Sequence, residues 1–550
     1  MRAGILGAWI LGSGSLHAQV TFEDIKNSPS ENWLLYAGDY AAQRHSPLEQ
    51  INRGTVDSLV AKWVHHIKGS NKLTSIPLVF EGIMYVSNNN EVYALDAVSG
   101  RTVWHYRQLG VEMDRVNRGV GILGDRVFFV TSDCHLVALH RLTGGVLWDH
   151  QYADPKDGYH CTVSPVPVKD SIIVGVSGGD SGIRGYMTAH SPSTGEELWR
   201  LWTIPGEGEP GSETWCPPLP RGEPGSETRC PPLPWGGAGT WMSGTYDPEL
   251  DVLYWTTGNP WPDFYGGDRP GDNLYTDSLL AIDPDTGKMK WYFQFTPHDV
   301  WDWDAQEFPI LLDLPFEGKQ RKLVVQANRN GYYYVLDRTT GEFLLGTPFV
   351  DKLTWSSGLD KNGRPILIEG TEPNLEGVEV CPTVRGASNF MAPSFNPDTG
   401  LLYVVVLEGC DVYTSSEKEP IPKTNFAGTG GERPPNDNNQ FFIRALQPTT
   451  GERVWEYPMT GPTTMWAGTV STAGGLVFFA DDDNHLVALD AKSGKHLWHF
   501  NLGQPLYSSP ITYSVNGKQY VTIVAQTDVF TFGLFEAAKP VPLVGELGSP

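Results

Sequence analysis

The chain has 550 residues, with 40 Lys and Arg against 64 Asp and Glu, a formal charge of −24. So acidic a surface repels phosphate backbones and argues against a nucleic-acid partner. With 61 Gly, 42 Pro and 19 Trp, and with 40% apolar and 11% aromatic residues, the composition is neither disordered nor helical. It predicts many short strands joined by turns.

Residues 2–18 read RAGILGAWILGSGSLHA, one Arg before an apolar stretch that ends in Ala. This is the pattern of a short secretory signal. No other segment offers the roughly 18 uninterrupted apolar residues of a membrane span, so a soluble mature protein is expected. The expected organisation is a signal over 1–18, one domain over 19–540 and a tail over 541–550.

A repeat then organises the chain: an apolar strand, a turn related to D-x-x-T-G, and a strand carrying Trp. It appears as YALDAVSGRTVW, VALHRLTGGVLW and TAHSPSTGEELW, ending at Trp104, Trp148 and Trp199. It returns as LAIDPDTGKMKW, RALQPTTGERVW and VALDAKSGKHLW, ending at Trp291, Trp455 and Trp498, and YVLDRTTGEFLL puts Leu345 in the Trp position. Adjacent spacings are 44, 51, 92, 54, 110 and 43 residues. The two long gaps each hold a degenerate copy, GTYDPELDVLYW and FNPDTGLLYVVV. Units of about 40 to 60 residues with about four strands each indicate an all-β, eight-bladed β-propeller with tryptophan-docking repeats. The early VAKWV around Trp63 can supply the outer strand of the last blade. The repeat tryptophans are therefore structural.

Several motifs mislead. GVGILG (119–124) and GEGEPG (206–211) match a dinucleotide fingerprint but open no helix, and GVSGG around Ser177 lacks the helix of a nucleophile elbow. The cysteines Cys134, Cys161, Cys216, Cys230, Cys381 and Cys410 form no CxxC or CxxCH, so neither a zinc ribbon nor covalently attached c-type haem is encoded. An even count with an export signal permits disulfides without assigning them.

Other segments fit poorly as blade structure. TPHDVWDWDAQE sets Asp302 and Asp304 two apart, on one face if the segment is extended. Two such carboxylates repel unless a cation or proton sits between them. VSGGDSGIRG carries Asp180 among small residues, and TTGNP sets Asn259 between Gly and Pro. Asp180, Asn259, Asp302 and Asp304 offer only oxygen, which suits a hard cation.

Together the repeats, GTWMSGTYDPELDVLYWTTGN, RPGDNLYTDSLLAID, TPHDVWDWD and VVQANRNGYYYVLDRTTG resemble pyrroloquinoline-quinone (PQQ)-dependent alcohol dehydrogenases, periplasmic quinoproteins on an eight-bladed propeller. The resemblance covers about residues 30–535. It implies that Trp241 lies on one face of the quinone and that Asp180 and Asn259 coordinate the metal with it. Asp302 becomes the catalytic base, and Arg329 contacts the quinone oxygens. Arg118 holds the cofactor from the first-blade side. Thr162, Ser177, Gly178 and Gly179 line the pocket, with Asn389 and Trp466 at its far rim. Cys381 and Cys410 match a family disulfide.

The departures are specific. The family's adjacent cysteine pair is replaced by Glu112 and Met113, whose thioether can still pack on a ring. The metal-ligand Glu is Asp180, and a Glu near the quinone is Thr74. Asp304 adds a carboxylate where calcium-dependent relatives carry a small residue, which marks the family's lanthanide branch. One more anion better neutralises a trivalent ion, so a lanthanide is favoured over Ca2+. A duplication, GEPGSETWCPPLP (208–220) then GEPGSETRCPPLP (222–234), reads as a surface insertion or as a lid before Trp241. Cys216 and Cys230 either pair with each other or stay free.

The implied function is alcohol oxidation to an aldehyde. The metal polarises the quinone carbonyl as a Lewis acid, and Asp302 removes the hydroxyl proton as hydride moves to the quinone. Electrons then pass to a separate soluble cytochrome c, steered by the acidic surface. A homodimer is compatible with this reading. A non-enzymatic propeller scaffold and an aldose dehydrogenase are the alternatives.

Overall fold

The Asp–x–x–Ser/Thr–Gly turns explain how each repeat closes. In the first, Asp96 Oδ1 accepts from the backbone N–H groups of Val98 (3.2 Å) and Ser99 (2.8 Å) and from the Ser99 hydroxyl (2.7 Å). Asp283 and Asp490 repeat the pattern. The Gly that follows adopts positive φ, as at Gly100 (71°).

In the computed structural model, residues 19–536 are described except 29, 71, 112, 114, 216–235, 417–420, 422, 435–438 and 463–465. The expected signal and C-terminal tail, Glu112, Cys216, Cys230 and most of the duplicated stretch lie outside the described residues. The one α-helix among the described residues is Phe22–Lys26; nearly everything else regular is strand.

Eight sheets among the described residues hold four antiparallel strands, six of them joined in chain order, and one of them has an added fifth strand. The first is Leu78–Phe80, Ile83–Asn88, Glu91–Asp96 and Thr102–Arg107. Its inner strands are buried except at their ends, Ile83, Glu91 and Asp96, whereas Thr102–Arg107 alternates toward solvent. Leu59–His66 pairs antiparallel with Asp528–Leu534, so an early strand completes the last sheet, as the sequence around Trp63 suggested. His45–Ser46 adds a parallel edge to the sheet of Thr469–Thr472. Two smaller sheets fill the long gap before Trp455.

Five of the repeat tryptophans, and Trp63, sit on the turn of the next repeat, whereas Trp498 packs on Phe500 and Phe532. A Cβ built on Gly100, Gly144, Gly195, Gly287, Gly341 or Gly494 would fall 2.5–2.8 Å from the indole of Trp63, Trp104, Trp148, Trp199, Trp291 or Trp455, so only Gly fits there. The Trp104, Trp148 and Trp199 indole N–H groups also donate to the turn carbonyls of Arg141, Pro192 and Pro284, at 2.8–3.0 Å. Where Leu345 replaces Trp, the next turn glycine, Gly451, packs on Thr347 and Tyr333 instead.

The degenerate copies do not mark separate units. GTYDPELDVLYW forms the inner hairpin Thr245–Asp247 and Val252–Thr256 of the sheet that also holds Met289–Gln294 and Trp291. FNPDTGLLYVVV is likewise the inner hairpin of the sheet ending in Arg453–Pro458. The same turn chemistry joins inner strands as well as outer ones, and sequence spacing alone does not separate the two.

Candidate active site

The site forms where loops between the sheets converge. Asp302 leaves the extended region at φ 62°. This local turn lets Trp301 and Trp303 enter the core side by side, their rings stacked 5.0 Å apart. Asp299 holds it by accepting from the N–H groups of Trp301 (3.0 Å) and Trp303 (2.8 Å). The indole nitrogens then donate to the carbonyls of Thr371 and Thr383. Asp302 and Asp304 do share a face, but through a turn and an arginine rather than through strand alternation.

That arginine is Arg329. Its Nη1 donates to Asp304 Oδ2 at 2.6 Å, its Nη2 lies 3.4 Å from Asp302 Oδ2 and also reaches the Val384 carbonyl at 2.6 Å. Against the penalty of burial, Asp302, Asp304, Glu307 and Asp299 raise the Arg329 pKa and keep it cationic. Asp304 Oδ1 accepts the Asn259 backbone N–H at 2.9 Å. The neighbouring Gly258 is required here, because a Cβ would fall 2.3 Å from that oxygen.

Asp180 lies in a single helical turn between Gly178 (φ 118°) and Gly182 (φ 70°). A Cβ on Gly178 would meet the Gly158 carbonyl at 2.4 Å. The Asp180 carbonyl accepts from the Trp261 indole (3.1 Å) and the Phe426 N–H (3.0 Å), which fixes the turn. Burial, then the Asp304 charge, raises the Asp180 pKa. Burial likewise lifts Asp302 well above the usual carboxylate range; Arg329 opposes this, while Asp304, Asp180 and Asp299 add to it.

On the other wall Arg118 lies over Trp241, its guanidinium 4.5 Å from the ring centroid. Arg118 Nη1 bonds Thr162 Oγ1, which pairs with Ser177 Oγ at 2.9 Å. Burial lowers the Arg118 pKa to about 10, opposed by Tyr36 and Asp304. Gln306 braces the Trp241 segment, donating to the Gly239 carbonyl (2.8 Å) and accepting from the Met242 N–H (3.2 Å). Trp466 enters the wall through Phe390, whose ring stacks on it at 5.3 Å and meets Trp241 edge-on at 6.0 Å. Asn389 does not face these groups: its side chain bonds the Arg385 carbonyl and the Phe390 N–H of its own loop. Thr74, also buried, bonds the Asn117 carbonyl.

Cys381 and Cys410 are disulfide-bonded, as the resemblance implied. A second disulfide, Cys134–Cys161, sits next to Thr162. Sequence reasoning left that pairing open and also missed Phe390, Gln306 and Asp263. Asp263 accepts from Asn259 Nδ2 at 2.9 Å, and its only legible signal is its place four residues after Asn259.

The donor set fits an anionic quinone with a hard cation. The Nε atoms of Arg118 and Arg329 are buried without a protein partner among the described residues, which suits an anionic guest. Asp180, Asp302 and Asp304 crowd three carboxyl groups toward the one guanidinium of Arg329, and burial raises the pKa of Asp180 and Asp302, a cost that a bound cation would offset. No three His, Cys, Asp or Glu side chains among the described residues gather into a metal cluster by themselves. Like charges without a cation turn to hydrogen-bond donors, and both Asp304 oxygens already hold one. The expected ligand set thus depends on the Asn259 amide and on donors of the quinone itself.

This is the constellation of a quinone-dependent oxidoreductase on a propeller. The family model for the glucose/ethanol/alcohol dehydrogenase β-propeller domain matches residues 33–348 and 457–521. The chain is 38% identical to quinoprotein alcohol dehydrogenase PedH of Pseudomonas putida, covering 95% of this chain and 90% of that protein. It is 34% identical to a quinoprotein ethanol dehydrogenase of Pseudomonas putida, over 92% of this chain and 87% of the relative. Among solved structures, a europium-containing methanol dehydrogenase superposes with a TM-score of 0.83 at 30% identity, over 92% of this chain and 99% of that one. The quinohemoprotein alcohol dehydrogenase ADHIIG of Pseudomonas putida HK5 gives 0.86 at 32%, over 95% and 84%. The chain belongs to the PQQ-dependent quinoprotein alcohol dehydrogenases, and the scaffold alternative falls away.

Proposed function

We propose that this enzyme oxidises a small alcohol to its aldehyde in the periplasm, with Asp302 as base and a lanthanide as its metal. The observation that carries this reading is the Arg329 bridge between Asp302 and Asp304, with the Asn259 N–H on the other Asp304 oxygen. Arg329 keeps two carboxylates close together that would otherwise repel, and it turns Asp302 into the site. There an Asp302 carboxylate oxygen accepts the alcohol's hydroxyl proton while the C–H hydrogen departs with its electron pair, leaving the aldehyde. When bound, the quinone supplies the acceptor for that hydride and the metal supplies Lewis acidity. Trp241 offers a flat face for a ring, with the Arg118 guanidinium lying over the indole and Thr162, Ser177, Gly178 and Gly179 lining the pocket beside it. Trp466 closes the rim through Phe390, with Asn389 shaping the loop.

The charge balance favours a trivalent ion. Three carboxylates and one guanidinium sum to −2, and the anionic quinone adds negative charge beyond what Ca2+ offsets, so a trivalent ion compensates the site more fully. Eight sheets, with Trp63 and five of the repeat tryptophans each seated on the next turn, support an eight-bladed ring. Two disulfides fit an oxidising compartment. Among the described residues no helix is long and apolar enough to cross a membrane. The acidic surface suits a basic soluble cytochrome c as electron acceptor.

The test is dye-coupled oxidation of ethanol by purified protein with PQQ and either La3+ or Ca2+. La3+ is expected to support the higher rate, and Asp304→Ala to abolish that preference. Equal or greater activity with Ca2+, or an Asp304→Ala variant unchanged under La3+, overturns the lanthanide assignment.

A further inference from the structure

Resting on the metal reading above, we infer that Asp263 is a positioning residue of the metal site, acting through the side-chain amide of Asn259. Both residues are about 95% buried, Asp263 at 5% and Asn259 at 3% relative exposure. Asn259 Nδ2 donates to Asp263 Oδ1 at 2.9 Å and to the Pro260 carbonyl at 3.2 Å. Both partners are pure acceptors, so the nitrogen must face them and the amide cannot flip. The amide oxygen is thereby turned the other way, toward the Asp180 turn. A Cβ built on Gly179 would lie 3.8 Å from Asn259 Oδ1. Among the described residues no group donates to that oxygen, which leaves its lone pairs for a cation.

Asp263 has no cationic partner at salt-bridge distance among the described residues. Burial first, then the Asp180, Asp302 and Asp304 charges, disfavours its ionised form, and Arg269 is the cation in its neighbourhood. Arg329 and Arg269 offset only part of this crowding of buried carboxyl groups, and such a group is destabilising unless further positive charge joins it. Its retention is accounted for if it orients a metal ligand and adds a fourth negative charge to the cation's surroundings. Losing a hydrogen-bond partner that orients a metal ligand typically costs about 10- to 100-fold in metal affinity.

The test uses the PQQ-loaded protein with Tb3+ as a luminescent trivalent probe and Ca2+ as its divalent counterpart. Affinity is read by titration, and the number of metal-bound waters by emission lifetimes in H2O and D2O. Asp263→Ala should weaken Tb3+ binding about 10- to 100-fold, weaken Ca2+ binding less, and add about one bound water as Asn259 lets go. Asp263→Asn retains an acceptor for Asn259 without the charge. It should restore the water count while leaving Tb3+ affinity reduced. In an Asn259→Ala background, Asp263→Asn should leave the water count unchanged. Wild-type affinities and water count in both Asp263 variants overturn the inference while leaving the metal reading intact. Failure of the wild-type protein to bind either ion overturns the metal reading itself.

Discussion

The outer ring of repeat tryptophans and the tryptophans of the centre use the same side chain under opposite rules. In the ring, Trp104, Trp148, Trp199, Trp291 and Trp455 each meet a turn glycine of the next repeat, and three donate to a carbonyl there. Every contact repeats, so each is replaceable as a unit and none holds chemistry. In the centre, Trp241, Trp301, Trp303 and Trp466 obey no period. Trp301 and Trp303 are wedged together so that Asp302, between them, must turn outward, and Trp241 carries Arg118 on its face. Periodic packing makes stability, and the breaks in the period make the site.

The largest effect expected from breaking this division is at Asp302. Asp302→Asn keeps the shape and removes the base, so kcat should fall about 10²- to 10⁴-fold with little change in melting temperature. A melting temperature that falls while kcat per folded molecule holds would place Asp302 with the packing residues.

Trp199→Ala tests the opposite half. It should destabilise by about 3–5 kcal/mol in denaturant titration while kcat per folded molecule stays near wild type. Gly287→Ala alone should be destabilising, because its Cβ meets the Trp199 ring at 2.5 Å and φ is 68°. Adding it to Trp199→Ala should then cost much less than alone, and strict additivity would refute the docking account.

The Cys134–Cys161 bond spans both halves, since it closes a separation of 27 residues and ends beside Thr162. Replacing both cysteines by Ala should cost about 3 kcal/mol of stability. It should also weaken PQQ binding, because Thr162 holds Arg118. Unchanged PQQ affinity in the folded variant would reduce the bond to a staple.

The smallest expected effect involves none of the site residues. Burial, with Asp481 and Asp483, raises the Asp482 pKa to about 6 even though it accepts the Gly461 N–H. The folded state therefore binds this proton more tightly than the unfolded chain does. Stability from this group is full below the unfolded pKa near 4 and is lost as pH climbs through about 6. Asp482→Asn should thus raise the melting temperature at pH 8 relative to wild type, by an effect of about 1–3 kcal/mol, and leave it nearly unchanged at pH 4. An equal shift at both pH values would mean that the charge is not the cause.

What was legible followed from periodicity. The Asp–x–x–Ser/Thr–Gly turn and the Trp after it repeat often enough to be read without coordinates, because each copy solves the same problem of closing a hairpin and covering its neighbour. The inner hairpins misled for the same reason: Trp255 and Trp291 look like two units and belong to one sheet. At the site, the oxygen-only chemistry of Asp180, Asn259, Asp302 and Asp304 was readable from residue types, and their roles came from resemblance. Phe390, Gln306 and Asp263 were not readable, because no local pattern distinguishes them.

The sequence by itself determined an acidic, strand-rich chain of repeats with carboxylates too concentrated to be idle. Only the tertiary structure decided that Arg329 bridges Asp302 and Asp304, that Cys134 pairs with Cys161, and that Asp263 turns the amide of Asn259. The physical reason is one of range. Turns and alternation are set by neighbours along the chain, whereas Arg329 and its carboxylates, and Cys134 and Cys161, meet across more than twenty residues, and the four-residue Asn259–Asp263 contact forms in an irregular loop that no period describes.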